Sequence, residues 1–375
     1  MADVTNQALT PAATLRLCYV HCYREPNYIR KLAQLDALRL APGIDTRVAC
    51  NRRRGALRYL EALLAVVRAT RQFRPDVYLL GFRGHEIFWL LRLLAHGRPV
   101  VIDALMSPSI ALVEERRGGT FGILLGRLLL PLEGRILRRA DLVLTDTTAH
   151  AELYAQRFGV APERILPIPV GAIPEPDQIS NRKRPAGAPL RVLFYGSFLP
   201  LHGVDVIIEA AAMLHDRPIQ FDFIGGSLLD MHWLRKRCAI LGVQRYTHRR
   251  WVPFDVLVQR DIADADVCLG GPFGATPQAM RVVTSKTSQC LAQGKPTVVG
   301  KTPLDAGFID RENCLLVNQR DPVALAAVLR WCDANRDRLP DIGDAGATLY
   351  RQRLSVEAIS EPLAAALQRL VPDRT

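Results

Sequence analysis

LGGPFGATPQAMRVVTSKTSQCLAQGKPTVV (Leu269–Val299) is the stretch from which the fold of this chain can be read. An apolar strand over 265–269 gives way to a turn carrying Gly270, Gly271 and Gly274. A polar loop with Arg281 and Lys286 follows, then a short helix around Ser288–Ala292. That helix stops at Gly294, where glycine suits the left-handed position just past a helix end. Lys295-Pro296 opens another apolar strand, Thr297–Val299. Strand, loop, helix and strand with short connections make the βαβ crossover of a parallel sheet. The loop leaves the carboxyl end of a strand, where open α/β sheets bind ligands. Glycines there let backbone approach a ligand, and two cations nearby can neutralise an anion. An ordinary βα loop with solvated charges fits the same local pattern.

The alternation extends outward in both directions. Ahead of the stretch, strands are expected at 190–195, 219–224 and 246–252, with helices at 204–214, 228–241 and 254–263. Behind it come a strand at 314–317, a helix at 322–335 and two further helical segments. The first half reads the same way. Strands are expected at 15–23, 46–50, 76–81, 99–103, 141–146 and 164–170. A helix over 25–40 has Pro26 in its first turn, and one over 55–73 shows an apolar stripe of Leu57, Leu60, Leu64 and Val67, with Arg58, Arg68 and Arg71 available to water. A further helix covers 86–95, and Thr147 or Thr148 caps another. Between the halves, 173–189 is rich in proline, charge and small residues, as a linker is. The expected organisation is therefore a loose tail (1–14), an α/β domain (15–172), the linker (173–189) and a second α/β domain (190–353). A C-terminal helix (354–375) is expected to pack back on the first domain.

At 375 residues and 49% hydrophobic content the chain can bury cores for two domains. No run of eighteen apolar residues appears, and the N-terminus lacks the basic-then-apolar order of a signal peptide, so a cytoplasmic protein is expected. Eight cysteines without a CxxC pair read as small core residues in a reducing compartment, with neither disulfides nor a metal expected. A formal charge of +12 attracts phosphates, anionic lipid or nucleic acid, and arginines cluster at 52–54, 116–117, 138–139, 182–184 and 235–237. The segment 120–139, TFGILLGRLLLPLEGRILRR, interleaves leucines with Arg127, Arg135, Arg138 and Arg139. It is too interrupted to span a bilayer; it suits either an anionic membrane surface or a cover for the sheet.

Taken in order, LRVLFYGSFLPLHGVDVIIEAA (190–211), DFIGG (222–226), the run from WVPFDVL at 251 to Val299, and ENCLLVNQRDPVALAAVL (312–329) resemble the C-terminal domain of retaining, family 4 glycosyltransferases of GT-B fold. The first half is similar more loosely, through DVYLLGFRGHE (76–86), RPVVIDAL (98–105) and ADLVLTDTTAHAELYAQRFG (140–159). The resemblance implies two Rossmann-like, doubly wound domains facing each other across a cleft. The second domain would bind a nucleotide-diphosphate sugar, and the first a saccharide or lipid-linked acceptor. No metal or other cofactor and no nucleic-acid partner are implied.

Carried over by position, Gly196, Ser197, His202 and Gly203 face the donor diphosphate. Many relatives have an arginine and a lysine where this chain has Ser197 and His202, so Arg281 and Lys286 become the candidate replacements. His202 can donate a hydrogen bond to phosphate, or pack as a turn residue. Trp251, Val252 and Pro253 fall beside the nucleobase, although a strand-end tryptophan is also a common core residue. Gly271, Phe273 and Gly274 lie along the sugar, with backbone amides reaching it. Relatives often carry two glutamates seven residues apart; here the second position is Gln289 and the first holds no clear glutamate. On the acceptor side, Asp103 stands where relatives place a histidine, as an acid–base group or a loop cap, with His85 and Glu86 nearby. The expected function is retaining sugar transfer in polysaccharide or glycoconjugate assembly, peripheral to the inner face of the membrane. Two alternatives stay open: a binding protein of this fold with little transfer activity, and a basic nucleic-acid binder.

Overall fold

The computed structural model describes residues 14–25, 27–115, 119–172 and 187–371. The tail at 1–13, most of the expected linker, Pro26 and the basic clusters at 116–117 and 182–184 lie outside the described residues. In chain order the first domain holds β1 (Leu15–His21), α1 (Ile29–Leu40), β2 (Ile44–Cys50), α2 (Leu57–Gln72), β3 (Val77–Leu80), α3 (Phe88–Leu94), β4 (Val100–Asp103), α4 (Pro108–Glu114), α5 (Gly119–Arg139), β5 (Leu142–Thr145), α6 (Thr148–Phe158) and β6 (Ile165–Pro167). The second holds β7 (Leu190–Tyr195), α7 (Val204–Ala212), β8 (Ile219–Ile224), α8 (Leu228–Ile240), β9 (Tyr246–Arg249), α9 (Phe254–Val256, continued by a π-helical turn), β10 (Val267–Leu269), α10 (Ser285–Ala292), β11 (Thr297–Gly300), β12 (Leu315–Val317) and α11 (Pro322–Ala334). α12 (Leu339–Arg353) and α13 (Val356–Gln368) end the described chain.

Both sheets are parallel, with strand orders β2-β1-β3-β4-β5-β6 and β12-β11-β10-β7-β8-β9. Each chain path starts inside its sheet and reverses direction once, between β1 and β3 in the first and between β7 and β10 in the second. A crevice opens at such a reversal, beyond the carboxyl ends of the two strands. Two doubly wound domains are therefore present, as the alternation implied.

Helices cover both faces of the first sheet. α2, α3, α5 and α6 pack Val66, Phe88, Leu137 and Tyr154 onto one face. α1 and α13 pack Leu38, Ile359 and Leu363 onto the other. The last helix thus completes the core of the first domain, and Ser360 Oγ donates to the Ala37 carbonyl at 2.8 Å. α1 begins at Ile29, later than the sequence suggested.

One helix face differs from the expectation. In α2 the buried residues are Ala62, Val66 and Ala69, while Leu57, Leu60 and Leu64 are exposed. Tyr59 and Leu63 pack at the edges of this buried face, and the leucine stripe faces outward. α5 repeats this inversion: Gly122, Gly126 and Gly134 face inward, and Phe121, Leu124 and Leu128 face outward. Among the described residues no helix is long and apolar enough to cross a membrane.

Candidate active site

The crevice of the second sheet is built by loops that follow β7, β8 and β10. Gly203, at φ 62°, is the tightest joint between them: a Cβ there would lie 2.5 Å from Gly274 N and 2.6 Å from the Phe273 carbonyl carbon. Glycine permits both this backbone conformation and the contact. The Gly274 amide donates to the Leu201 carbonyl at 3.1 Å and the Gly271 amide to Val298 at 3.2 Å. These amides are committed inside the loops, which corrects the expectation that they reach the sugar. The Phe273 side chain is buried in the core of the second domain, so only its backbone can face the crevice.

Two of the three expected cations come together. A Cβ on Gly196 would lie 3.5 Å from Lys286 Nζ and 3.4 Å from His202 Cε1, so both side chains meet over Gly196. His202 is held by its Nδ1 against the carbonyl of Ser197, whose own residue is exposed. Lys286 is not in a loop. Thr284 caps α10 by accepting from the Thr287 amide at 3.2 Å, which draws Ser285 and Lys286 into the first helical turn. A cation is disfavoured there by the helix dipole. The ammonium lies 5.7 Å from the Phe194 ring centroid, and no ion pair to it is found among the described residues. Burial pushes its pKa down to about 7, against a small opposing effect of Cys290. A buried cation without a counter-charge, at a helix N-terminus, is a site that an anion completes.

Arg281 does not join this pair. Its guanidinium crosses to the first domain and donates to Glu114 at 2.7 and 3.3 Å, while its carbonyl accepts from Thr147 Oγ1 at 2.6 Å. Beside it, His150 contacts Asp146 and lies 3.3 Å from Gln278 Oε1. Burial lowers the His150 pKa, but Asp146 outweighs it and the net shift is upward. This network holds the two domains together across the cleft. A cavity of about 310 Å³ adjoins it, with Asp146, Thr148, Ser288 and Asp305 among its lining.

The remaining donor candidates divide. Trp251 is 76% exposed, which removes the core reading and leaves its face available. Val252 packs with the apolar cluster around Tyr195, and Pro253 precedes α9. Gln289 is buried within α10 at 1% exposure.

On the acceptor side Asp103 is corrected. It is fully buried at the end of β4, where Arg30 Nε lies 2.9 Å from both its oxygens and Gln34 donates to it at 3.1 Å. The carboxylate is an internal ion pair, not a group facing substrate. The ring nitrogens of His85 are buried and find no hydrogen bond among the described residues, with Nε2 3.8 Å from Glu133 Oε1. Burial lowers its pKa. Glu86 is exposed and interacts with Tyr59 of α2, outside the crevice. The crevice of the first sheet carries residues that sequence reasoning missed: Tyr28 stacks on Phe82 at 4.9 Å, and Tyr23 meets Phe82 edge-on at 5.2 Å. Tyr23 and Phe82 follow β1 and β3 directly; only the strand order marks them as crevice residues.

Residues 18–171 match the Glycosyl transferase 4-like domain. The chain is 27% identical over 251 residues to a D-inositol 3-phosphate glycosyltransferase of Streptomyces coelicolor, covering 57% of this chain and 52% of that protein. To its counterpart from Geodermatophilus obscurus it is 28% identical over 269 residues, covering 64% and 57% respectively. The chain thus spans about half the length of these relatives. Among solved structures, HepE from Anabaena in complex with UDP and glucose superposes with a TM-score of 0.68 at 16% identity, covering 95% of this chain and 100% of that one. Sucrose-phosphate synthase from Thermosynechococcus elongatus gives 0.69 at 17% identity, covering 95% and 99%. Residues 18–171 thus match a glycosyl transferase 4-like domain, and the chain shares the two-domain GT-B fold of these solved structures.

Proposed function

We propose that the chain transfers a sugar, with retention of configuration, from a nucleotide-diphosphate donor to a saccharide or lipid-linked acceptor in polysaccharide or glycoconjugate assembly. The observation that carries this reading is the buried, uncompensated Lys286 ammonium beside His202 and Gly196. Charge leaves the sugar with the diphosphate as the glycosidic C–O bond breaks, and Lys286 with His202 stabilises that charge. An oxygen of the departing phosphate, on the same face of the sugar, accepts the proton of the acceptor hydroxyl as the new C–O bond forms. No metal takes part in this scheme; transfer that survives EDTA is its expected signature.

Trp251 stacks on the base, and the Tyr23–Tyr28–Phe82 cluster lines the acceptor side with His85. Because HepE was solved with UDP, uridine donors come first in the test. A thermal-shift panel of UDP-, GDP-, ADP- and TDP-glucose should raise the melting temperature with one nucleotide, by mass action. Lys286→Met should abolish that shift. A panel with no response, or a variant that responds as the parent does, defeats the proposal. Binding without sugar transfer would instead support the binding-protein alternative, which the buried Gln289 amide favours.

A further inference from the structure

We propose that α2, α3 and α5 form a docking face for an anionic phospholipid bilayer. The three helices share one layer over the first sheet, and their outward surfaces carry large apolar side chains interleaved with arginines. α2 presents Leu57, Leu60 and Leu64; α3 presents Trp89, Leu90 and Leu93, the last 73% exposed. α5 adds Phe121 at 74% exposure, with Leu124, Leu128 and Leu132 at helical spacing. At ~1.5 Å per residue this last helix is about 30 Å long. Exposed large apolar side chains gathered on one helix layer mark an interaction site on a water-facing domain.

Its packing explains why the leucines stay outside. A Cβ on Gly126 would lie 2.9 Å from the Leu112 Cβ and 2.8 Å from Val113, so α4 lies flush against a glycine face of α5. Turning the leucines inward would break that contact.

The charge pattern selects the occupant. Arg127, Arg135, Arg138 and Arg139 are exposed along α5, whose one carboxylate, Glu133, is buried and accepts from the Ser109 amide at 3.0 Å. Trp89, Arg135, Arg138 and Arg139 line a notch of about 320 Å³, which suits a lipid phosphate beneath an interfacial tryptophan. Leucines flanked by arginines lie on an anionic membrane with the cations at the headgroups. A second copy would bring like charges together, in a chain of net charge +12. α4 runs along α5 and ends at Glu114, the residue paired with Arg281 across the cleft. The docking face therefore borders the cleft mouth. That a membrane-held acceptor enters there rests on the transferase reading; docking itself does not.

Sedimentation with phosphatidylcholine vesicles, with and without phosphatidylglycerol, tests the face. The full chain should sediment with the anionic vesicles only, and less so as salt rises. Leu124→Ser with Leu128→Ser should weaken partition by on the order of tenfold or more. Arg135→Gln with Arg139→Gln should weaken it and flatten the salt dependence. Melting temperature and nucleotide-sugar thermal shifts, measured on the same variants, should match the parent, so a failure of docking is separable from a failure of donor binding. Variants that sediment as the parent does overturn the proposal. So does a parent dimer, seen by light scattering, that the leucine substitutions dissociate.

Discussion

Lys286 and Asp103 show opposite fates for a buried charge. Lys286, with an ordinary pKa of 10.5, is pushed to about 7 by burial. Between those values the unfolded chain holds a proton that the folded chain has released, so this residue makes stability rise with pH across that window and adds no gain below it. A bound diphosphate restores the proton. Above about pH 7, donor binding should therefore take up a proton, and affinity should fall by at most about tenfold per pH unit. Calorimetry in two buffers of different ionisation enthalpy measures the uptake; a buffer-independent heat would contradict it. Asp103 is compensated by Arg30, so Asp103→Asn should act on stability, by about 3–5 kcal/mol, through the guanidinium left unpaired. Denaturant unfolding reads that loss. A stable variant with reduced transfer would return Asp103 to the chemistry. The sequence could not expose this pair, because Arg30 lies 73 residues away and a strand-end aspartate looks alike in either role.

At the scale of elements, periodicity located strands more reliably than helix faces. β7 (Leu190–Tyr195) and β8 (Ile219–Ile224) match the reading residue for residue, since short β-branched and aromatic runs bounded by turn residues have few alternatives. α10 is a turn longer than read, because Thr-Ser-Lys-Thr resembles a loop until Thr284 is seen as its cap. α2 was legible as a helix, yet its leucines face outward: sidedness depends on what lies opposite. The β7 loop offers a direct test. Gly203→Ala places a side chain at φ 62° against Gly274 and Phe273, and the left-handed conformation alone costs about 1–2 kcal/mol. The variant should unfold at lower denaturant and lose nucleotide-sugar binding, because the loops that position His202 separate. Unchanged binding would show that the loop contact is dispensable.

The whole molecule is two sheets joined by a polar clasp and by a helix that returns. The clasp consists of Glu114–Arg281, Thr147–Arg281 and His150–Gln278, and α13 anchors the chain end on the first domain. Glu114→Gln should cost under about 1 kcal/mol, as a partly exposed pair does, while loosening the domains. Small-angle scattering should show a larger radius of gyration without ligand, reduced again by donor. No change in either state would argue against a clasp. By itself, the order of residues determined the alternation of strands and helices, the two-domain plan and the motifs of the family. Those follow from local periodicity and turn chemistry, which each segment carries alone. Only the tertiary structure decided which charges find partners, leaving Lys286 without one among the described residues while Arg281 and Asp103 are engaged, and which apolar faces stay uncovered. Compensation and burial depend on separation in space, and residues far apart along the chain set both.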